Sequence, residues 1–219
     1  MILPQLIMNK ENTKALGQDV NEVVLQGVIV HKFVTPAIAI LTINTGNSTP
    51  VPNYPKILFF GDLREKVEKE FEVKDHVTIV GNIQSSKRKE NVKNQVMQSI
   101  FAESITATPS VMEKAFGIDE VKNSYKAFSN SFKIAGQVMS IESPAANMVR
   151  MVVKTYKNNH ISFVKLVHFS KNFAEILSEI HPQDYVCGVG CVQTSKNETE
   201  KGTVYYEDYV LLEINKMDK

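Results

Sequence analysis

The chain has 219 residues, of which 43% are apolar and 22% are charged. This composition is typical of a globular protein that buries a core, and it excludes a disordered, collagen-like or coiled-coil chain. Lys and Arg together number 25 and Asp and Glu 24, so the net charge is +1. A charge balance this even does not by itself indicate a class of partner.

The apolar start of the chain, MILPQLIMNK, is shorter than the roughly 20 residues of a membrane span and has no basic leader. We therefore expect neither a membrane segment nor a signal peptide. The two cysteines, Cys187 and Cys191, lie four positions apart in a β-rich run. On a strand they would be about 13 Å apart, too far for a disulfide. We interpret them as core residues of a protein in a reducing, cytoplasmic compartment.

The sequence repeats itself at an offset of 109 residues, so that Asn21 aligns with Asn130. Other identities at this offset are Gly27 with Gly136, Lys56 with Lys165, Phe60 with Phe169, and Lys87 with Lys196. Apolar positions coincide between the identities, which indicates two copies of one fold. The predicted parts are an N-terminal extension (1–20), a first domain (21–109), a linker (110–129) and a second domain (130–219).

The first copy opens with NEVVLQGVIV, whose alternation predicts a strand with a bulge or sharp coil at Gly27. AIAILTIN and YPKILFF predict the second and third strands, on either side of a turn-rich loop. GDLREKVEKEFEVKD has helical spacing, with Leu63, Val67 and Phe71 on one face. HVTIVGNI and QVMQSIFAESITA predict the fourth and fifth strands around the polar hairpin QSSKRKENVKN.

The linker SVMEKAFGIDEVKNSYKAFS has near-helical apolar spacing. It either packs on a barrel or docks a partner. The second copy then repeats the order of elements, with SFKIAGQVMSIE, NMVRMVVKTY and ISFVKLVHF as strands, NFAEILSEI as helix, and DYVCGVGCV and TVYYEDYVLLEI as strands around the hairpin QTSKNETEKG.

Five strands with a helix between the third and fourth is the element order of the OB-fold, a barrel that binds oligonucleotides or oligosaccharides. The fold class that we predict is therefore all-β, a tandem repeat of two OB-fold five-stranded barrels with one short helix per barrel. A search for catalytic motifs finds no P-loop, no His-Glu-x-x-His zinc motif and no nucleophile elbow. The five histidines are scattered, and we expect no enzyme activity, no metal and no cofactor.

Three stretches of the first copy resemble the bacterial and phage-type single-stranded DNA-binding protein family. NEVVLQGVI resembles the opening strand of that family, YPKILFFGDLRE its third strand and helix start, and VKDHVTIVGNIQSSK its fourth strand and basic hairpin. The second copy matches less well, since Ser170 replaces a glycine and Asn172 a leucine. The resemblance implies binding of single-stranded DNA, and of RNA as a second possibility, without catalysis. The process would be replication, recombination or DNA transfer.

The resemblance also implies binding residues. Tyr54 and Phe60 correspond to aromatic residues that stack on bases, and Lys56 to a basic residue of the same strand. Arg88 falls where some members place another aromatic residue in the hairpin, so the resemblance implies guanidinium stacking or a phosphate contact at this position. At the 109-residue offset, Phe163 aligns with Tyr54, and the pairs Phe60 with Phe169 and Lys56 with Lys165 repeat the pattern.

Further candidate phosphate contacts are the basic residues of the hairpins and of strand two in the second copy, namely Lys87, Lys89, Lys93, Arg150, Lys154 and Lys196, with Tyr156 as a further stacking residue. Two alternatives stay open. One alternative is that Phe60 and Phe169 are core residues, since Phe is often buried. The other alternative is that the basic hairpin is a solvated turn.

Two barrels per chain would give a dimer the four barrels that tetrameric family members reach with single-barrel chains, so we predict a homodimer. The chain ends soon after its last strand, and we expect no acidic tail that recruits replication proteins. The alternative to DNA binding is an OB-fold adaptor of a replication or mobile-element complex with little DNA affinity of its own.

Overall fold

The first repeat forms a closed ring of five strands. The computed structural model describes residues 19–46, 53–87, 96–108, 129–170, 173–199 and 202–217. In the first repeat the elements are β1 (Val20–Val34), β2 (Ala39–Asn44), β3 (Lys56–Phe59), α1 (Gly61–Glu70), β4 (His76–Lys87) and β5 (Val96–Ala107). β1 pairs with both β2 and β4, and the ring closes through β3 and β5.

The second repeat closes in the same way. Its elements are β6 (Asn130–Ala145), β7 (Met148–Lys157), β8 (His160–Phe169), α2 (Phe173–Glu179), β9 (Tyr185–Thr199) and β10 (Gly202–Met217). β6 pairs with β7 and β9, and β8 and β10 complete the ring. In both rings the third and fifth strands run parallel. The predicted fold class, two tandem OB-fold barrels with one helix each, is confirmed.

β1 and β6 join the two barrels into one sheet. Residues 20–25 of β1 lie antiparallel to residues 135–130 of β6, with Val23 opposite Phe132. These two residues are 109 positions apart in the sequence, so exchanging the repeats maps this pair onto itself. The barrels are therefore related by an approximate two-fold axis that passes between Val23 and Phe132.

The core follows the apolar alternation of the sequence. Val67 and Phe71 are buried against the first barrel, and Leu63 packs on the same core, as their helical spacing predicts. Burial of a side chain of this size contributes roughly 1.5–3 kcal/mol. Cys187 and Cys191 are buried and free, as expected for core residues.

Gly27 lies where β1 and β2 approach each other closely. A Cβ added to Gly27 would lie 2.3 Å from the Asn44 carbonyl oxygen, so the glycine permits β2 to cross close to β1. Gly136 repeats this arrangement against the Lys154 carbonyl oxygen, at 2.2 Å. The irregularity in the β1–β2 register lies later, between Ile29 and His31. Of the two features predicted at Gly27, a bulge or a sharp coil, the bulge is not found there.

Two predicted elements have different limits in the structure. α1 ends at Glu70 because Phe71 has an extended backbone (φ −125°, ψ 138°), so the last five residues of the predicted helical stretch lie beyond the helix. The hairpin QTSKNETEKG is largely strand, since β9 continues to Thr199 and β10 starts at Gly202. The polar tip of a long hairpin keeps its ladder of backbone hydrogen bonds, a pairing that polarity alone does not indicate.

The predicted domain limits stay predictions. β1 begins at Val20, one residue before the predicted start of the first domain. The predicted N-terminal extension and linker fall almost wholly outside the described residues, which resume at Ser129.

Candidate nucleic-acid interface

The third strand of each repeat presents alternate residues to the two sides of its wall. In the first repeat Ile57 and Phe59 are buried, whereas Lys56 is exposed and Phe60 is 44% exposed. Tyr54 is half-buried. The predicted shared face of these three residues is therefore open, and the alternative that Phe60 is a core residue is excluded.

The second repeat shows the same alternation. Val164 and Leu166 are buried in β8, whereas Phe163, Lys165 and Phe169 are exposed, Phe169 by 53%. The repeat thus places an aromatic, a basic and an aromatic side chain on the outer face of each barrel. Phe169 is therefore exposed, and the alternative that it is a core residue of the barrel is excluded.

Backbone amides tie each third strand to the opposite barrel. The Tyr54 N–H donates to the Thr194 hydroxyl at 2.8 Å, and the Phe163 N–H donates to the Ser85 hydroxyl at 2.8 Å. Both donors and both acceptors are 109 positions apart, so these are one interaction made twice about the two-fold axis. The two outer faces are therefore held next to each other.

The amide two residues further along is also held by a side chain of the opposite barrel. The Lys56 N–H donates to Oε1 of Glu207 at 2.7 Å. The Lys165 N–H donates to Oε1 of Gln98, whose Nε2 donates back to the Lys165 carbonyl at 3.2 Å. Neither lysine ammonium is paired with a carboxylate among the described residues. Both side chains can therefore hold a phosphate without breaking an ion pair of this part of the chain.

A groove of about 810 Å³ runs between the barrels, and five of the predicted residues line it. These five are Tyr54, Lys56, Arg150, Lys165 and Phe169. They come from both repeats, and no pattern in the sequence indicates that the two repeats meet at these residues. The groove is the site at which the predicted residues converge.

Two tyrosines that were not among the predicted site residues also line the groove. Tyr205 and Tyr206 are 54% and 48% exposed, and Tyr209 is buried. Strict alternation along TVYYEDYV would place Tyr205 on the same face as Tyr209 and Tyr206 on the other. Both faces of β10 are open at Tyr205 and Tyr206, whereas the three successive residues Tyr209, Val210 and Leu211 are buried, so strict alternation does not describe this segment.

Two acidic side chains offset part of the positive charge of the groove. Glu207 and Asp208 line it beside the tyrosines. Burial raises the pKa of Glu207 to about 7, against the opposing effects of the Lys56 backbone hydrogen bond and the Lys56 charge. The net charge of the groove therefore becomes more positive as the pH falls through this range.

Phe60 lies outside the lining of the groove but has a partner that sequence reasoning missed. Its ring stacks on Phe101, with centroids 5.2 Å apart and planes 15° from parallel. The position equivalent to Phe101 in the second repeat is Val210. The family resemblance, the repeat and the basic side chains of the hairpins and of strand two indicated the predicted site residues, and none of these signals points to Phe101.

Tyr156 lines a second pocket, formed where the end of β7 meets the start of β1, and the charge of Lys154 acts on Asp19 of the same pocket. The Tyr156 N–H donates to Oδ2 of Asp19 at 2.7 Å, and its hydroxyl donates to Oδ1 of Asn159 at 2.8 Å. Burial raises the pKa of Asp19, whereas this hydrogen bond and the charge of Lys154 lower it. Tyr156 is 52% exposed, and the structure does not bring it into the groove.

Two of the predicted basic residues form ion pairs, and four others lie wholly or partly outside the described residues. Arg150 and Lys196 form exposed ion pairs, Arg150 with Glu142 at 3.1 Å and Lys196 with Glu198 at 2.7 Å. Arg88, Lys89 and Lys93 lie outside the described residues, and of Lys87 only the place at the end of β4 is described. Their predicted role in binding phosphate stays a prediction.

No group of three or more His, Cys, Asp or Glu side chains within the described ranges could hold a metal ion. No helix in the part of the chain that the structure describes is long and apolar enough to cross a membrane.

Comparison with known proteins shows the fold alone. No protein-family model matches the chain, and no curated protein does. Two solved structures of the single-stranded DNA-binding protein from Thermus aquaticus match 93% of it. One of them, a deletion mutant, has a TM-score of 0.65 and 15% sequence identity, and the match covers 97% of its chain. The other, the wild type, has a TM-score of 0.64 and 16% sequence identity, and the match covers 95% of its chain. The resemblance that the sequence indicated is therefore confirmed as a shared two-barrel fold.

Proposed function

We propose that this chain binds single-stranded DNA along the groove between its barrels, without catalysis, and so coats and protects the strand. The observation that carries the proposal is the convergence of exposed aromatic and cationic side chains from both repeats in one groove. A fold shared with proteins named as single-stranded DNA-binding supports it. Replication, recombination or DNA transfer are the processes in which such a coat acts.

The groove has both parts of a single-strand site that does not depend on base sequence. Stacking on an aromatic ring is worth about 1–3 kcal/mol per base and tolerates any base. Phe169, Tyr205 and Tyr206 offer exposed rings for this purpose. Lys56 and Lys165 offer ammonium groups for the phosphates on either side.

Unpaired bases fit this groove better than a duplex does, because a duplex keeps its base faces stacked on one another. RNA has the same faces and the same phosphates, and it is a second ligand for the same chemistry. We also propose a cytoplasmic homodimer, which would bring together four barrels. Light scattering would then give a mass near twice the 24.6 kDa of the chain.

Fluorescence anisotropy with labelled oligo-dT and a labelled duplex of the same length tests the proposed function. We expect tighter binding to oligo-dT and a clearly negative slope of log affinity against log salt. Phe169→Ala should weaken binding about fivefold or more, by loss of one stacking platform. Leu212→Ala is the matched control, since Leu212 is 60% exposed and does not line the groove.

Lys165→Gln should also weaken binding and make the salt slope shallower by about 0.7, the value of one phosphate contact on a single strand. Lys69→Gln, on the exposed surface of α1, should leave both quantities unchanged. A folded wild-type protein that binds neither oligonucleotide contradicts the proposal and favours an adaptor role instead.

A further inference from the structure

The outer wall of the first barrel carries an apolar row across four strands. Phe33 of β1 lies opposite Ile40 of β2, Ile40 opposite Leu58 of β3, and Leu58 beside Phe101 of β5. The ring of Phe60 covers Phe101. We call the four residues Phe33, Ile40, Leu58 and Phe101 the apolar row. Phe33 is 50% exposed, and the other three are half-buried.

The second barrel has a row at the same register with different chemistry. Glu142 lies opposite Arg150, Arg150 opposite Val167, and Val167 beside Val210. Arg150 and Glu142 form an ion pair of 3.1 Å, with 47% and 61% of their side chains exposed. We call the four residues Glu142, Arg150, Val167 and Val210 the charged row.

The two rows open into the same groove. Ile40 and Leu58 of the apolar row line it, as do Arg150 and Val167 of the charged row. Exposed rings lie at both ends of the apolar row, Phe33 at one and Phe60 over Phe101 at the other, and contiguous exposed apolar surface marks a binding surface. An exposed ion pair contributes little to folding stability, so Arg150 can exchange its partner at little cost.

We propose that one strand of nucleic acid crosses both rows in a single path, with its bases stacked on the apolar row of the first barrel and a phosphate held by Arg150 in the second. This inference rests on the proposed function and assigns unequal roles to the two repeats. Lys56 and Lys165, which line the same groove, hold further phosphates of the strand.

Binding of the strand changes the anionic partner of the Arg150 guanidinium. In the free protein the guanidinium is bound to the Glu142 carboxylate. In the complex a phosphate takes that position, since Arg binds phosphate with the same two-pronged geometry as a carboxylate. Glu142 therefore competes with the ligand and limits affinity.

Salt titrations of oligo-dT binding test the charged row. Arg150→Gln should weaken binding about fivefold and make the slope of log affinity against log salt shallower by about 0.7. Glu142→Gln should strengthen binding about threefold, because Arg150 no longer has a competing partner. Lys69→Gln and Glu65→Gln are the matched controls, since these two residues form an exposed ion pair of 3.1 Å on α1.

An oligomer of abasic sites, compared with oligo-dT of equal length, tests the apolar row. Phe33→Leu removes a flat ring, keeps an apolar side chain, and should weaken oligo-dT binding at least fivefold without changing the salt slope. Affinity for the abasic oligomer should stay as in the wild type. Phe60→Leu serves as the second variant if Phe33→Leu lowers the melting temperature. Val73→Ala, at a 46% exposed residue outside the row, is the control.

The outcomes separate this inference from the proposed function. A wild-type protein that binds no oligonucleotide contradicts both. Binding by the wild type that Phe33→Leu and Phe60→Leu leave unchanged, or that they weaken equally for the abasic oligomer, overturns the stacking role of the apolar row. An unchanged salt slope in Arg150→Gln overturns the phosphate role of the charged row.

Discussion

Gln98 and Glu207 occupy the same position in the two repeats, and each holds the backbone of the third strand of the opposite barrel. The Gln98 amide both accepts a hydrogen bond from the Lys165 N–H and donates one to the Lys165 carbonyl. Glu207 accepts the Lys56 N–H at 2.7 Å. An ionised carboxylate has no proton with which to donate to a carbonyl, so a protonated Glu207 is the closer equivalent of Gln98.

Glu207→Gln should make the protein more stable at pH 8 and change it little at pH 5. Burial raises the pKa of Glu207 from 4.5 to about 7 in the folded state. The folded protein therefore binds this proton more tightly than the unfolded chain does. That stabilisation is complete below pH 4.5 and is lost as the pH rises through about 7. We expect a gain of about 1–3 kcal/mol at pH 8, measured by urea unfolding.

The reciprocal substitution is the control for this prediction. Gln98→Glu should transfer the same pH dependence to the Lys165 side of the interface, with a loss of stability at pH 8. Equal effects of Glu207→Gln at pH 5 and pH 8 would show that the ionisation of Glu207 does not act on stability.

The Asn21 side chain links the two barrels through three hydrogen bonds. Its Nδ2 donates to the Ile83 carbonyl at 2.7 Å and to the Thr155 hydroxyl of the other barrel at 3.1 Å, and its Oδ1 accepts the Ile83 N–H at 2.8 Å. Asn21→Ala leaves buried backbone groups unpaired and should destabilise the protein by about 3 kcal/mol in urea unfolding.

Asn130 makes the equivalent contacts, to the backbone of Val192 and to the Thr45 hydroxyl. Asn130→Ala should therefore cost a similar amount, and Asn215→Ala, at an exposed position of β10, should cost little. A loss below about 0.5 kcal/mol in either Asn21→Ala or Asn130→Ala would argue against this role.

The sequence predicted the barrels because apolar alternation and the 109-residue repeat act locally along the chain. The identity of Asn21 with Asn130 could be seen in the sequence, but its reason could not. The two asparagines bind across the axis between the repeats, and no pattern within one repeat contains that contact. The same holds for Gln98 and Glu207, whose partners lie 67 and 151 positions away.

The site was predicted in part for a related reason. Identity between the repeats found Lys56 with Lys165 and Phe60 with Phe169, which the structure shows as exposed. Phe33 and Phe101 were missed because neither the family resemblance nor the repeat indicates them, and their counterparts are Glu142 and Val210. Such differences are meaningful only once the strand register shows that they occupy one row in each barrel.

Gly27→Ala should be strongly destabilising although it adds one methyl group. The new Cβ would lie 2.3 Å from the Asn44 carbonyl oxygen, a backbone atom that cannot move without separating β1 from β2. We expect a loss of roughly 3 kcal/mol or more in thermal or urea unfolding. Gly61→Ala is the comparison, since a Cβ there meets nothing within 4 Å and only its φ of +54° opposes the change. A smaller loss for Gly27→Ala than for Gly61→Ala would contradict the close-approach argument.

Tyr54→Trp should turn the protein into a fluorescent reporter of its own groove. The chain has no tryptophan, so the indole signal would come from one site. Tyr54 is half-buried at the groove and is held there by its backbone bond to Thr194, which the substitution leaves intact. Stacking of a base on the indole should quench its emission and shift it on addition of oligo-dT. Tyr185→Trp, at a half-buried position at the start of β9, should report folding but not binding. Equal quenching of both variants, or of neither under conditions where anisotropy shows a complex, would place the nucleic acid away from Tyr54.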